Sequence, residues 1–376
     1  MAYGFLRYKD LKRKKEHKKK SYDKSLLYLT IGLTFLGVLA VADASTPQAL
    51  KFFSDSFYFL RSQIVAVALG FVGLIISSRI HYSVWKRYSV AFFVLTIAML
   101  LLVLIPGVGI KSLGARRWID LSVVSFQPSE FVKLFFAIYV SSLVSSKKNL
   151  LSFVLPLLIV AALVMLQPDM GTTLVILSIG VSAIFVNGIS FVSFISILSV
   201  GFLAGLLLIF TSTYRRERLM SFLSGVNEPL TSSYHVKQIL LGLGLGGFLG
   251  SGLGQSRQKF LFLPESATDS VFVVIAEELG FVGAVIVLIL ISILVFRLFR
   301  IALRSEDRFA SAFSTCVGVW IGLQSFLNIG SMVVLVPLTC IPLPFFSYGG
   351  TSLIALLVSI GIVLNISREE IGRAHV

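Results

Sequence analysis

The sequence predicts an all-α polytopic membrane protein of about ten transmembrane helices, both termini cytoplasmic, with a large extracytoplasmic loop between helices 7 and 8. Three observations predict it. Of 376 residues, 56% are hydrophobic and only 14% charged, against about 25% charged in an average soluble domain. Mean hydropathy is +0.92, and 32 phenylalanines suit a lipid-facing surface. The apolar residues fall into runs near the roughly 20 that a spanning helix needs: 26–44, 57–78, 88–105, 129–146, 150–166, 171–188, 190–211, 270–297, 309–330 and 350–367.

Residues 1–24 form a basic cytoplasmic tail, 25–368 the membrane domain with its outer loop at 212–269, and 369–376 a short cytoplasmic tail. The net charge is +15, and ten of the 33 basic residues crowd into the first 24. Directly before a span, that run reads as an anchor on anionic membrane lipids rather than a nucleic-acid contact. Ala42-Asp43-Ala44 has the form of a signal-cleavage site. The apolar run from Leu26 exceeds an h-region of about 7–15 residues, so a retained first span is expected. Cys316 and Cys340 show no metal or redox spacing and read as small apolar residues.

Arg79, Lys86, Arg87, Lys147, Lys148, Arg297, Arg300, Arg304 and Arg308 fall in loops expected inside, as the positive-inside rule requires. Lys111, Arg116 and Arg117 fall outside, between the third and fourth spans, and the 212–269 loop adds Arg215, Arg216, Arg218, Lys237, Arg257 and Lys259. Long loops translocate whatever their charge. The second reading is a site for an anionic ligand, since the arginine fork donates two parallel hydrogen bonds to phosphate. The carboxylates that close the same loop favour a site.

The fourth span opens QPSEFVKL. Pro128 starts the helix, Ser129 or Gln127 can cap it, and Glu130 and Lys133 share a face at i,i+3. They form an internal ion pair with either a structural or a functional role. In QPDMGTT, Asp169 can cap the sixth span or line a site. Seven glycines crowd 242–254 without a Walker or dinucleotide spacing, which reads as a short amphipathic or re-entrant segment. Then comes KFLFLPESATDSVFVVIAEELG, with Glu265, Asp269, Glu277 and Glu278 at the mouth of the eighth span and inside it. Charge in a membrane-length apolar run costs about 3 kcal/mol per residue on insertion scales, so such groups are functional candidates. Thr268 or Ser266 can cap this span, placing Asp269 near its first turn, where a general base or a capping carboxylate are both open readings. Glu277 and Glu278 lie deeper, to be paired with a buried base or polar backbone; a transporter's proton relay is the competing reading. Finally, 336–352 breaks the helical pattern with three prolines and Ser347-Tyr348-Gly349-Gly350. It reads as a segment lining a cavity, where Ser347 and Tyr348 can bind sugar or phosphate.

GARRWI (114–119), QPSEFVKL (127–134), QPDMGTT (167–173), YRRERLMSFL (214–223), SRQKFLFLPESATD (256–269), IAEELGFVG (275–283) and LPFFSYGGTS (343–352) together resemble the motifs of the SEDS family, which comprises FtsW, RodA and SpoVE. They fall in family order across roughly 25–368. YRRERL and GLGQSRQKF look closer to the FtsW division branch than to RodA, with SpoVE sharing much of the pattern. The chain reads TDSVF where the family usually has TDFIF, so Ser270 replaces an aromatic.

The resemblance implies a peptidoglycan glycosyltransferase that polymerises lipid II at the outer face of the plasma membrane. It also implies a class B penicillin-binding protein and other division proteins as partners. By position, Asp269 corresponds to the family's essential loop aspartate, and Glu130 and Lys133 to its intramembrane polar pair. Arg116, Arg117, Arg215, Arg216 and Lys259 are candidates by location for the leaving diphosphate, and Glu265 is open between a substrate contact and the start of the helix. No His/Asp cluster marks a metal site, although a divalent cation (Mg or Mn) can share the role. The rival classes are a lipid II flippase or other transporter and a division scaffold. Against transport, the richest charge cluster lies at the outer face rather than the midplane.

Overall fold

The computed structural model describes residues 22–112, 115–120, 125–210 and 233–373, with isolated positions between 211 and 232. Residues 1–21 of the basic tail, Arg215 and the side chain of Arg116 lie outside the described residues.

The chain is a helical bundle: α1 (Lys24–Phe53), α2 (Tyr58–Arg79), the short α3 (Tyr82–Arg87), α4 (Ser89–Leu104), α5 (Pro128–Ser145), α6 (Leu150–Met165), α7 (Met170–Val186), α8 (Phe191–Phe210), α9 (Tyr234–Gly246), α10 (Val271–Arg304), α11 (Arg308–Met332) and α12 (Gly350–Arg373). Among the described residues, α1, α2, α10, α11 and α12 are long and apolar enough to cross a membrane, and α4, α6, α7 and α8 contribute shorter apolar helices.

Two expectations are corrected. The chain is not wholly helical: Ile110–Ser112 (β1), Ala115–Asp120 (β2) and Ser125–Phe126 (β3) form a small antiparallel sheet in order β1-β2-β3. Such short strands carry too little alternation to register in sequence. The first helix also continues well past residue 44, through Pro47 to Phe53, which places Asp43 inside it. At the other end α12 stays helical to Arg373.

The core lies where α5, α7, α11 and α12 meet, around Phe136, Val140, Ile176, Ile179, Phe313, Trp320 and Ile360. The outward faces carry exposed Phe35, Leu69, Val90, Leu151, Val192 and Phe296, an apolar surface that suits hydrocarbon. Asp23 N donates to Ser367 Oγ at 3.1 Å, so the start of α1 and the end of α12 meet at one face. Asn365 ties the ends of α2 and α12 together there, through Tyr82 N and Ser78 O. Chemistry-bearing residues gather at the other end of α1.

Candidate active site

Helix α10 is broken at Gly280, whose φ of 69° and ψ of −168° lie outside the helical region. A break frees two donors and two acceptors, and each finds a partner in the glycine-rich turn after α9. Phe281 N donates to Gly247 O (3.0 Å) and Val282 N to Phe248 O (3.3 Å), while Glu277 O accepts from Ser251 N (2.9 Å) and Glu278 O from Gly252 N (3.1 Å). The glycines permit this approach: a Cβ on Gly250 would stand 2.1 Å from Glu278 O, at a φ of +87°. The segment expected to be amphipathic or re-entrant is thus a helix followed by a turn that completes the broken α10.

The break presents Glu277 and Glu278 to the loop at 251–259. Glu277 accepts from Ser256 Oγ, Arg257 N (2.9 Å) and Gln258 N (3.3 Å). Glu278 accepts from Gly254 N (3.0 Å), Ser256 N (3.1 Å) and Lys259 Nζ (2.8 Å). The same ammonium donates to Asp43 on α1 at 2.7 Å. Lys259, expected at a substrate diphosphate, is instead buried between two carboxylates (5% exposed). Isolated in an apolar helix, Asp43 carried the same signal of costly charge as Glu277, and its place in an apparent cleavage motif hid it.

Asp269 lies in the turn before α10, half-buried. Ser270 takes the N-cap position without a side-chain cap bond, so neither Thr268 nor Ser266 caps the helix. The turn is held from several sides. Asn328 Nδ2 on α11 bridges Asp269 O and Ile341 O, both at 2.8 Å. Tyr348 N donates to Ala267 O at 2.8 Å, and Ser266 Oγ reaches Ala44 O at 3.5 Å. Glu265 is exposed in a left-handed conformation (φ 50°), and Thr268 Oγ1 donates to its Oε2 at 2.7 Å. The Tyr348 phenol donates to Ser62 Oγ (3.2 Å) and its ring meets Phe59 edge-on; burial pushes the phenol above its ordinary 10.0, so it stays a protonated donor. Ser347 turns inward, its Oγ accepting from Leu343 N at 2.7 Å. Both residues, expected to touch substrate, brace the turn that carries Asp269.

The remaining candidates are also placed. Asp169 caps α7, accepting from Thr172 N (3.0 Å) and Thr172 Oγ1 (2.9 Å). Arg117 donates from Nε to Gln167 O (3.0 Å) and from Nη2 to Pro168 O, fastening the β-sheet to the turn before α7. Arg216 is exposed. Glu130 and Lys133 pair at 2.7 Å, each 1% exposed. Lys133 Nζ also donates to Gln324 Oε1 (2.7 Å), and Gln324 Nε2 donates to Pro342 O (2.8 Å). The intramembrane pair is therefore linked through α11 to the irregular 333–349 segment. Gln127 occupies the N-cap of α5 without a side-chain bond, and Pro128 opens the helix.

Asp43, Asn328 and Gln324 were not found from sequence; the last two are neutral amides in an apolar helix, a mild polar signal. Among the described residues no group of three or more His, Cys, Asp or Glu gathers to hold a metal ion.

A family model described as "Cell cycle protein", named for FtsW, RodA and SpoVE, matches residues 23–371. The chain is 38% identical to stage V sporulation protein E of Bacillus subtilis over 359 residues, 93% of this chain and 98% of that one. It is 36% identical over 362 residues to a probable peptidoglycan glycosyltransferase FtsW of a Geobacter species, covering 94% of this chain and 98% of the relative. Among solved structures, one chain of a peptidoglycan synthase complex superposes with a TM-score of 0.74 at 29% identity, covering 93% and 98% of the two chains. The rod shape determining protein RodA of Thermus thermophilus superposes with a TM-score of 0.68 at 28% identity, covering 93% and 97%.

Proposed function

Because the chain belongs to the family of FtsW, RodA and SpoVE, we propose that it polymerises lipid II into β-1,4 glycan strands at the outer face of the plasma membrane, with Asp269 as general base. It is a multi-pass membrane protein and a peptidoglycan glycosyltransferase. In the proposed step, Asp269 takes the proton from the acceptor sugar's 4-hydroxyl as that oxygen attacks the donor's anomeric carbon. The bond from that carbon to the diphosphate breaks, undecaprenyl pyrophosphate leaves, and a single displacement converts the α-linked donor into a β linkage.

One observation carries the assignment: the Asp269 turn is fixed from α1, α11 and the 333–349 segment, all at one end of the bundle. A base must be held within reach of its proton, and this turn is built to hold one. The leaving diphosphate needs positive charge. Arg117 and Lys259 are committed to protein partners, which leaves Arg116, Arg215 and Arg216 for it. An apolar cavity of about 810 Å³ among α9, α10 and α11 begins at Phe272, within one helical turn of Asp269, and suits a polyprenyl chain.

Likeness to a chain of a peptidoglycan synthase complex supports a class B penicillin-binding protein as partner. The division-branch motifs favour a role in division over elongation or sporulation. Ten spans with both ends in the cytoplasm fit the meeting of Asp23 and Ser367 at one face.

The test is glycan formation from lipid II by the purified protein with its cognate class B partner. Asp269→Ala should lower the rate by about 10²–10⁴-fold, the usual share of a general base, with unfolding unchanged. Equal activity in the variant rejects Asp269 as the base. Failure of the parent protein to form glycan rejects the polymerase and leaves transport to be measured.

A further inference from the structure

We propose that His235 is a positioning residue for Asp269, acting through Ser270; the inference rests on Asp269 being the proton acceptor. His235 lies in the first turn of α9, half-buried. Its Nε2 stands 3.1 Å from Ser270 Oγ. Ser270 is fully buried and directly follows Asp269, and its hydroxyl donates to Pro264 O at 3.1 Å.

Proton counting fixes the direction. A serine hydroxyl has one proton, and the Pro264 carbonyl can only accept. The second bond must therefore run from His235 Nε2–H into Ser270 Oγ. The imidazole must carry a proton on Nε2 in its neutral form and keeps it when charged, so the contact persists in both states. The Ser270 Oγ bond to Pro264 O closes the 264–270 turn across its ends, alongside Ser270 N donating to Glu265 O at 3.0 Å.

Asp269 is thereby gripped from two helices. Asn328 on α11 holds its carbonyl, and His235 on α9 holds the next residue. The grip also accounts for the serine at 270. A buried hydroxyl requires hydrogen-bond partners, and His235 and Pro264 supply them where an aromatic side chain would hold the turn by packing. A displacement of about 1 Å at a reacting group can cost about a hundredfold in rate, so a residue that fixes this turn acts on turnover rather than on substrate affinity.

The experiment measures kcat and KM for lipid II polymerisation by the full-length protein with its class B partner. The variants are Asp269→Asn, His235→Phe, His235→Gln and Ser270→Ala. His235→Phe and Ser270→Ala should each lower kcat about tenfold, the scale of one hydrogen bond, with KM within about twofold. His235→Gln, whose side-chain amide can donate to the same oxygen, should recover most of the loss. Unchanged kcat in His235→Phe, an effect confined to KM, or equal losses in the Phe and Gln variants would overturn the inference. If His235→Phe does not fold, His235→Ala takes its place, since it breaks the contact without adding volume and leaves the Ser270 bond to Pro264 O intact. Activity retained in Asp269→Asn marks instead the failure of the base assignment.

Discussion

Asp269 and Glu278 lie on one short stretch of chain, and their surroundings differ in kind. Both oxygens of Glu278 are addressed by Gly254 N, Ser256 N and Lys259 Nζ, and the residue is buried. At Asp269 the main-chain carbonyl is held by Asn328 Nδ2, and the residue is half-buried. A carboxylate that holds a fold has its charge satisfied by fixed donors. A carboxylate that works on a substrate needs its backbone held within reach of the reacting proton. The Asp43–Lys259–Glu278 cluster belongs to the first kind and joins α1, the 251–259 loop and α10.

The hardest way to break that distinction is to remove the shared cation. Lys259→Met leaves Asp43 and Glu278 facing each other without it, and should destabilise the protein by about 3–5 kcal/mol, toward the lower end because the Asp43 side chain is 32% exposed. Chemical unfolding in detergent reads this directly. Adding Glu278→Gln to Lys259→Met should recover part of the loss, since it removes one of the stranded charges. A single variant as stable as the parent would mean that the cluster holds nothing.

This cluster also marks the limit of what the sequence discloses. Apolar runs announce the helices because each is a local property of consecutive residues, and the turn bearing Asp269 is legible because Pro264 and the charges around it mark an interface. Lys259 and Asp43 lie 216 positions apart, so nothing local assigns one to the other. A lysine in a loop expected outside therefore reads as free to meet an anion. The same holds for Arg117, whose partners at Gln167 and Pro168 are carbonyls that any residue possesses. His235 and Ser270 are 35 positions apart, and either alone is unremarkable.

A smaller effect is expected at the break in α10, which aims Glu277 and Glu278 at their loop. Gly250→Ala would set a methyl 2.1 Å from Glu278 O at a φ of +87°. The strain of such a conformation is about 1–3 kcal/mol, read as a lowered thermal midpoint. Gly244→Ala, in α9 where an added methyl meets nothing within 4 Å, is the control and should leave stability unchanged or slightly raised. If the two variants unfold alike, the close approach of the glycine turn does not support the break.

The smallest effect is on pH dependence, and its sign follows from Lys259. Burial pushes the ammonium down, but the hydrogen bonds to Asp43 and Glu278 outweigh it and hold the group above the ordinary 10.5. A lysine raised in the folded state contributes stability that is fully present below its unfolded value and is lost as pH rises through the folded value. The stability difference between the parent and Lys259→Met should therefore stay flat from about pH 7 to about pH 9 and shrink only above about pH 10.5. The parent should show this high-pH loss of stability and Lys259→Met should not. A difference that already shrinks between about pH 7 and about pH 9 would mean that the two carboxylates do not hold the ammonium together.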